Sequence, residues 1–371
     1  MTRLGDVATY INGFAFAPDD WSENGLPIIR IQDLTGNSYQ MNRYAGEYNP
    51  KYEVNRGDVL ISWSASLGVY VWQGEKALLN QHIFKVIFDK CDVDKSFYVH
   101  QVAAILEKAA SQAHGATMKH LTKPVFDALP FYLPDLPTQQ RIADTLDKVS
   151  EGIGLCRKML GELDLMVKAK FGEMFGDPVS NEREWNVETL NDVCTEIGDG
   201  LHGTPEYDDN GEYPFINGNN LINGAIEITP ATKKVNAEIY KKHYIDISAN
   251  ALLLSINGTL GKLAFYNGEK VMLGKSACYC NFKPEINRAF VYGVMKTEAF
   301  AGFLEKSATA STIKNVGLKA IRGYKLIMPP QALQMQFIEF SNQVDKSKLA
   351  VKQSLEKLET LKKSLMQEYL G

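Results

Sequence analysis

The chain has little of what marks hard chemistry or an unusual compartment. Among its 371 residues no apolar run approaches the ~20 that a membrane-spanning helix needs, so no membrane association is expected. The opening Met1-Thr2-Arg3-Leu4-Gly5-Asp6 lacks the apolar stretch of a secretory signal, which makes the cytoplasm the expected location. There are five cysteines. Cys91, Cys156 and Cys194 stand alone, and an odd count is a poor disulfide framework. Cys278-Tyr279-Cys280 is the one close pair. No second pair of Cys or His follows it at metal-ligand spacing, and strand alternation sets both on one face, so no metal site is expected.

A basic excess is missing too. Lys and Arg number 40 against 44 Asp and Glu, a net charge of −4. Nucleic-acid-binding domains ordinarily carry a positive surplus, so DNA binding here requires basic loops on one side and acidic surface elsewhere. Catalytic signatures are equally scarce. Gly198-Asp199-Gly200-Leu201-His202-Gly203 has the glycine spacing of a phosphate loop, but Thr204-Pro205 and the turn-forming Tyr207-Asp208-Asp209-Asn210-Gly211 follow where a helix must open. The Pro-Pro of Met328-Pro329-Pro330-Gln331 lacks the amide or carboxylate and the aromatic with which an adenine methyltransferase grips a flipped base. No Walker lysine follows a glycine loop, and the six histidines are scattered singly. No catalytic residue is therefore assigned.

What the chain does contain is one unit written twice. Leu4-Gly5-Asp6-Val7 matches Leu190-Asn191-Asp192-Val193 at an offset of 186 (190 − 4). Pro27-Ile28-Ile29-Arg30 matches Pro214-Phe215-Ile216-Asn217, and Ser66-Leu67-Gly68 matches Thr259-Leu260-Gly261. Thr117-Met118-Lys119-His120-Leu121 matches Thr312-Ile313-Lys314-Asn315-Val316 at 195 (312 − 117). The offset drifts upward mainly through the turn-rich stretch 37–52, as expected of copies that differ in surface loops.

Each copy opens with roughly 130 residues of short β-branched and aromatic runs bounded by turns such as Asn257-Gly258 and Asn267-Gly268. Helical stretches follow around 97–108 and 289–306. Each copy closes on a long helix. Ile142, Leu146, Val149, Ile153, Cys156, Leu160, Leu163 and Val167 alternate spacings of four and three, a heptad seam. Val344, Val351, Leu355, Leu358, Leu365 and Tyr369 fall on the matching stripe, interrupted by Lys348 and Lys362. Gly152, Gly154 and Gly161 weaken the first helix by about 1 kcal/mol each and leave room for a partner backbone. The expected fold is α+β. Two similar strand-rich mixed domains, 1–135 and 178–330, are each followed by a helix, 136–177 and 331–371, and the helices pair as an antiparallel coiled coil.

Two globular domains in tandem, each trailed by a heptad helix, resemble the specificity subunits of type I restriction-modification systems. Asp199-Gly200-Leu201-His202-Gly203-Thr204-Pro205 and Gly211-Glu212-Tyr213-Pro214-Phe215-Ile216-Asn217-Gly218-Asn219-Asn220-Leu221 look like the opening of that family's target-recognition domain. Arg56-Gly57-Asp58-Val59-Leu60-Ile61 and Asn80-Gln81-His82-Ile83 resemble its central strands. Leu136-Pro137-Thr138-Gln139-Gln140-Arg141-Ile142-Ala143 resembles the segment opening its conserved helix. The second copy keeps the glutamines there but shifts the proline, and it has Gly274-Lys275-Ser276 where the first has Asn80-Gln81-His82. The resemblance implies a non-catalytic subunit that binds double-stranded DNA and docks two methylation subunits, with restriction subunits added for cleavage. It implies no cofactor of the chain's own, S-adenosylmethionine being brought by the methylation subunits. Each domain reads one half of a split target, as the halves of a dimeric repressor do, and the helices set the gap.

Residues expected at DNA combine loop position with phosphate or base chemistry. Thr117, Lys119, Thr312 and Lys314 lie in matched loops, and Ser64, Ser66, Asn257 and Thr259 lie at matched turns with Lys262 just beyond. Lys233 and Lys234 begin the most basic stretch of the second domain. Arg30, Gln32, Gln81, Asn217 and Asn219 have the guanidinium or amide groups that read base edges. Two other readings make different demands. A stand-alone methyltransferase or nuclease needs catalytic motifs that are missing, and a protein-binding scaffold predicts no salt-dependent DNA binding.

Overall fold

In a computed structural model, which describes residues 2–112 and 122–370, the chain divides into two units. One comprises 1–159 and 351–371, the other 160–350. Each long helix therefore begins in the unit whose domain precedes it and ends in the other unit.

In the first unit, runs such as Val59–Ser62 are buried along their whole length, so they form central strands with no solvent face. The antiparallel sheet runs Thr9–Asn12, Ile83–Ile87, Val59–Ser62, Gly68–Val71. Beside it, Leu26–Ile29 pairs in parallel with Ala77–Leu79 through Ile28 opposite Leu78. The second unit repeats the plan. Its antiparallel sheet runs Cys194–Asp199, Ala277–Phe282, Ala251–Ser255, Leu263–Phe265, and Tyr213–Ile216 pairs in parallel with Met272–Leu273. The repeat is thus one topology built twice. Ala277–Phe282 has two buried faces: Cys278, Cys280 and Phe282 enter one apolar cluster, Ala277 and Tyr279 another. Both cysteines are packing residues on one face. The buried Asn281 is satisfied by Ser248 N–H and by Asp246 C=O, at 2.9 and 3.0 Å.

The helical stretch expected over 289–306 is two helices, Arg288–Met295 and Glu298–Ser307. Thr297 interrupts it, because its hydroxyl caps the second helix by accepting from Phe300 N–H.

The first long helix spans Leu136–Phe175 and the second Gln331–Leu370, 40 residues each. Asp135 accepts the Thr138 amide at 3.1 Å, and Thr138 holds that carboxyl below the usual carboxylate range. Gln139 and Gln334 are buried at the helix starts and donate to the Pro134 and Pro329 carbonyls, both at 2.8 Å. The two prolines are counterparts at the offset of 195 (329 − 134), so that anchor is shared and the shift seen from Pro137 is superficial.

In the first unit, Arg157 pairs with Glu359 at 2.8 Å and Arg141 lies over the Tyr369 ring at 5.8 Å. In the second, Lys348 bridges Asp164 at 2.7 Å, and Phe171 meets Phe337 at 5.4 Å between ring centres. Contacts on one helix fall in number as those on the other rise, so the paired segments are antiparallel. Ile142, Leu146, Val149, Ile153 and Val344 are buried; Leu160, Leu163, Val167, Val351, Leu355, Leu358 and Leu365 are half-buried. Lys348 occupies its stripe position through the Asp164 bridge.

The helix glycines divide. A Cβ on Gly152 would stand 3.2 Å from Leu358 Cδ1, whereas on Gly154 or Gly161 it meets nothing within 4 Å. Only Gly152 serves close approach. Gly161→Ala is accordingly expected to stabilise the chain by about 1 kcal/mol and raise its urea midpoint, with Gly152→Ala gaining less. A midpoint unchanged or lowered in Gly161→Ala would show that this glycine has a contact partner.

Candidate nucleic-acid interface

Four loops and one helix end of the second unit converge on an open cleft of about 760 Å³. Its walls are Asn217, Asn219, Asn257, Gly258, Thr259, Leu260, Ser276, Glu305, Thr312, Ile313 and Lys314. Six residues expected at DNA therefore share one surface: Asn217, Asn219, Asn257, Thr259, Thr312 and Lys314.

Backbone hydrogen bonds explain the convergence. Strand Ala251–Ser255 ends in the turn Asn257-Gly258-Thr259, where Gly258 adopts φ +75°, a conformation that favours glycine. Gly258 N–H donates to Lys314 C=O at 2.9 Å and Val316 N–H to Ile256 C=O at 2.9 Å, which ties the 308–316 loop to this turn. Asn257 Nδ2 donates to Asn315 Oδ1 at 3.2 Å. On the opposite wall, Ser276 Oγ accepts from Gly218 N–H and donates to Asn217 Oδ1, each at 2.9 Å. Lys314 Nζ is paired with Glu305. The cleft thus combines amides, hydroxyls and one ammonium, the groups that meet phosphates and base edges. Its one carboxylate was not among the expected residues.

The remaining candidates lie elsewhere. Lys233 sits 6.0 Å from the Tyr207 ring centre, and Lys234 lies in the short strand Lys234–Val235. Lys262 is held by its backbone, N–H to Ser255 Oγ at 2.8 Å. In the first unit Ser64 is buried and Ser66 exposed at the turn after Val59–Ser62. Trp63 Nε1 donates to Asn12 Oδ1 at 3.1 Å beside them. Arg30 is 3.7 Å from Asp33 and 5.5 Å from the Trp21 ring centre. Gln32 lies exposed on the short helix Ile31–Leu34, and Gln81 N–H donates to Phe14 C=O. Thr117 and Lys119 lie outside the described residues.

No helix opens after the glycine-spaced segment; Gly198 and Asp199 close a strand, and Asp199 Oδ2 accepts from His202 Nε2 at 2.8 Å. Among the described residues no three Cys, His, Asp or Glu side chains gather as metal ligands, and no helix is long and apolar enough to cross a membrane.

Comparison with known proteins extends this picture. A family model described as "Type I restriction modification DNA specificity domain" matches residues 1–164 and again 182–361. The type I restriction enzyme EcoBI specificity subunit of Escherichia coli is 21% identical over 401 residues, covering 98% of this chain and 83% of that protein. The type I restriction-modification system S subunit from M. genitalium superposes with a TM-score of 0.55 at 13% identity, covering 100% of this chain and 95% of the other. A structure reported for complex assembly and conformational transition of the type I R-M system gives 0.56 at 16% identity, covering 100% and 96%.

Proposed function

The chain belongs to the type I restriction modification DNA specificity family, and from that premise we propose that it reads a split, asymmetric DNA sequence, one half per globular unit. It carries no catalytic group. It docks two methylation subunits, which bring S-adenosylmethionine, and restriction subunits join the same assembly for cleavage. The observation that supports this most is one topology built twice with different polar loops. Trp63-Ser64-Ala65-Ser66 in one copy stands against Asn257-Gly258-Thr259 in the other, and Asn80-Gln81-His82 against Gly274-Lys275-Ser276. Equal scaffolds with unequal reading groups call for unequal half-sites.

The test is to map modified adenines in DNA from cells carrying the chain with its methylation partner. A motif of two different halves around a fixed gap is expected; a continuous or palindromic motif would overturn the proposal. Lys314→Ala in the assembled complex is expected to weaken binding to all sequences alike and to lower the salt slope by about one unit. Its sequence counterpart Lys119→Ala should act the same way. Unchanged affinity and slope in both would remove their phosphate role.

A further inference from the structure

Glu305 sits oddly for a residue at DNA. It is in the last turn of helix Glu298–Ser307, where a carboxylate opposes the helix dipole. Its ion pair with Lys314 is half-exposed, with side chains 58% and 50% accessible, and such pairs contribute little stability. Among the side chains lining the cleft it is the one acid, and it can only accept hydrogen bonds. Next to phosphates it is repelled, so it disfavours every DNA except one that offers it a donor.

Resting on the DNA-reading function proposed above, we infer that Glu305 is a specificity-determining residue of the second unit, accepting the N4 amino group of a cytosine in its half-site. Lys314 holds the carboxylate in the free protein. On DNA the ammonium exchanges Glu305 for a phosphate, and the released carboxylate must find an amino donor or remain unpaired near negative charge. Carboxylates pair with cytosine N4 in the major groove, and rejection through an unmatched charge is how a wrong partner is made costly. Amides and hydroxyls, able to donate as well as accept, tolerate more sequences.

The experiment compares Glu305→Gln with the wild-type chain in the assembled complex with its methylation subunits. Two readouts are taken: the methylated motif, and affinity for a duplex lacking the motif. The expected result is a motif relaxed at one C·G pair in one half, with discrimination there reduced about tenfold. Affinity for the non-cognate duplex should rise severalfold at the same salt. Relaxation at an A·T pair, or an unchanged motif with unchanged non-cognate affinity, would overturn the assignment. A loss of affinity for all duplexes alike would also do so, because it would make Glu305 a structural prop for the cleft. If the wild-type complex itself gives no split motif, the DNA-reading function fails first and this assignment with it.

Discussion

Replacing Phe175 by alanine is expected to destabilise the second unit by about 3–5 kcal/mol. Phe175 is fully buried, and its ring centre lies 5.1 Å from Phe171, 5.2 Å from Phe290 and 5.6 Å from Phe337. This cluster joins the end of the first long helix, the helix Arg288–Met295 and the start of the second long helix, so removing one ring opens a cavity shared by three elements. The surroundings cannot collapse easily. Gly176 ends the helix at φ +74°, and Trp185 Nε1 donates to the Phe175 carbonyl at 3.0 Å, so the backbone on both sides is held. Urea unfolding followed by tryptophan fluorescence measures the loss. Phe340→Ala, a partly exposed ring on the second long helix with Lys170 Nζ of the first helix 6.0 Å from its centre, serves as comparison and should cost clearly less. Equal midpoints for Phe175→Ala and wild type would mean that the aromatic cluster does not hold the unit together.

Features written in side-chain periodicity could be read before any coordinates. The duplicated segments announce two copies, and the four-and-three spacing from Ile142 to Val167 announces a helix seam, because each depends on residue type at fixed intervals. The long-range pairings are harder to see. Ile28 meets Leu78 and Phe215 meets Met272 in parallel strands of two to four residues, too short for alternation to reveal a partner some fifty residues away. The break at Thr297 escaped a reading by hydrophobicity because helices on either side of it share an apolar face; only the capping hydroxyl marks it. Gln139 and Gln334 resemble ordinary surface glutamines in a helix until the Pro134 and Pro329 carbonyls are seen to require a donor. In the cleft, attention to basic and amide groups found Lys314 and the asparagines. It passed over Glu305, since a carboxylate argues against DNA when considered alone and acquires meaning only beside Lys314.

The two long helices carry the other large expected effect. Each has 40 residues, about 60 Å at 1.5 Å per residue, and the first starts at the expected residue 136 but ends at Phe175 rather than 177. If their length sets the gap between half-sites, lengthening them must widen that gap and leave the bases alone. Inserting four residues near Gly161 in one helix alone is a poor test. It rotates the following residues by about 40°, which carries the stripe off its partner. The antiparallel pairing identifies the better insertion. Asp164 meets Lys348, so one heptad after Gly161 and one after Ala350 extend both helices near that bridge and keep the seam in phase. Seven residues add roughly 10 Å, or about three base pairs at ~3.4 Å each. The expected outcome is a methylated motif with both halves unchanged and a gap about three base pairs longer. The heptad in a single helix should lose methylation, because the paired stripes then differ in length. Half-sites that change while the gap stays constant would show that the helices do not measure the distance. The gap would then have to be set within the globular units themselves.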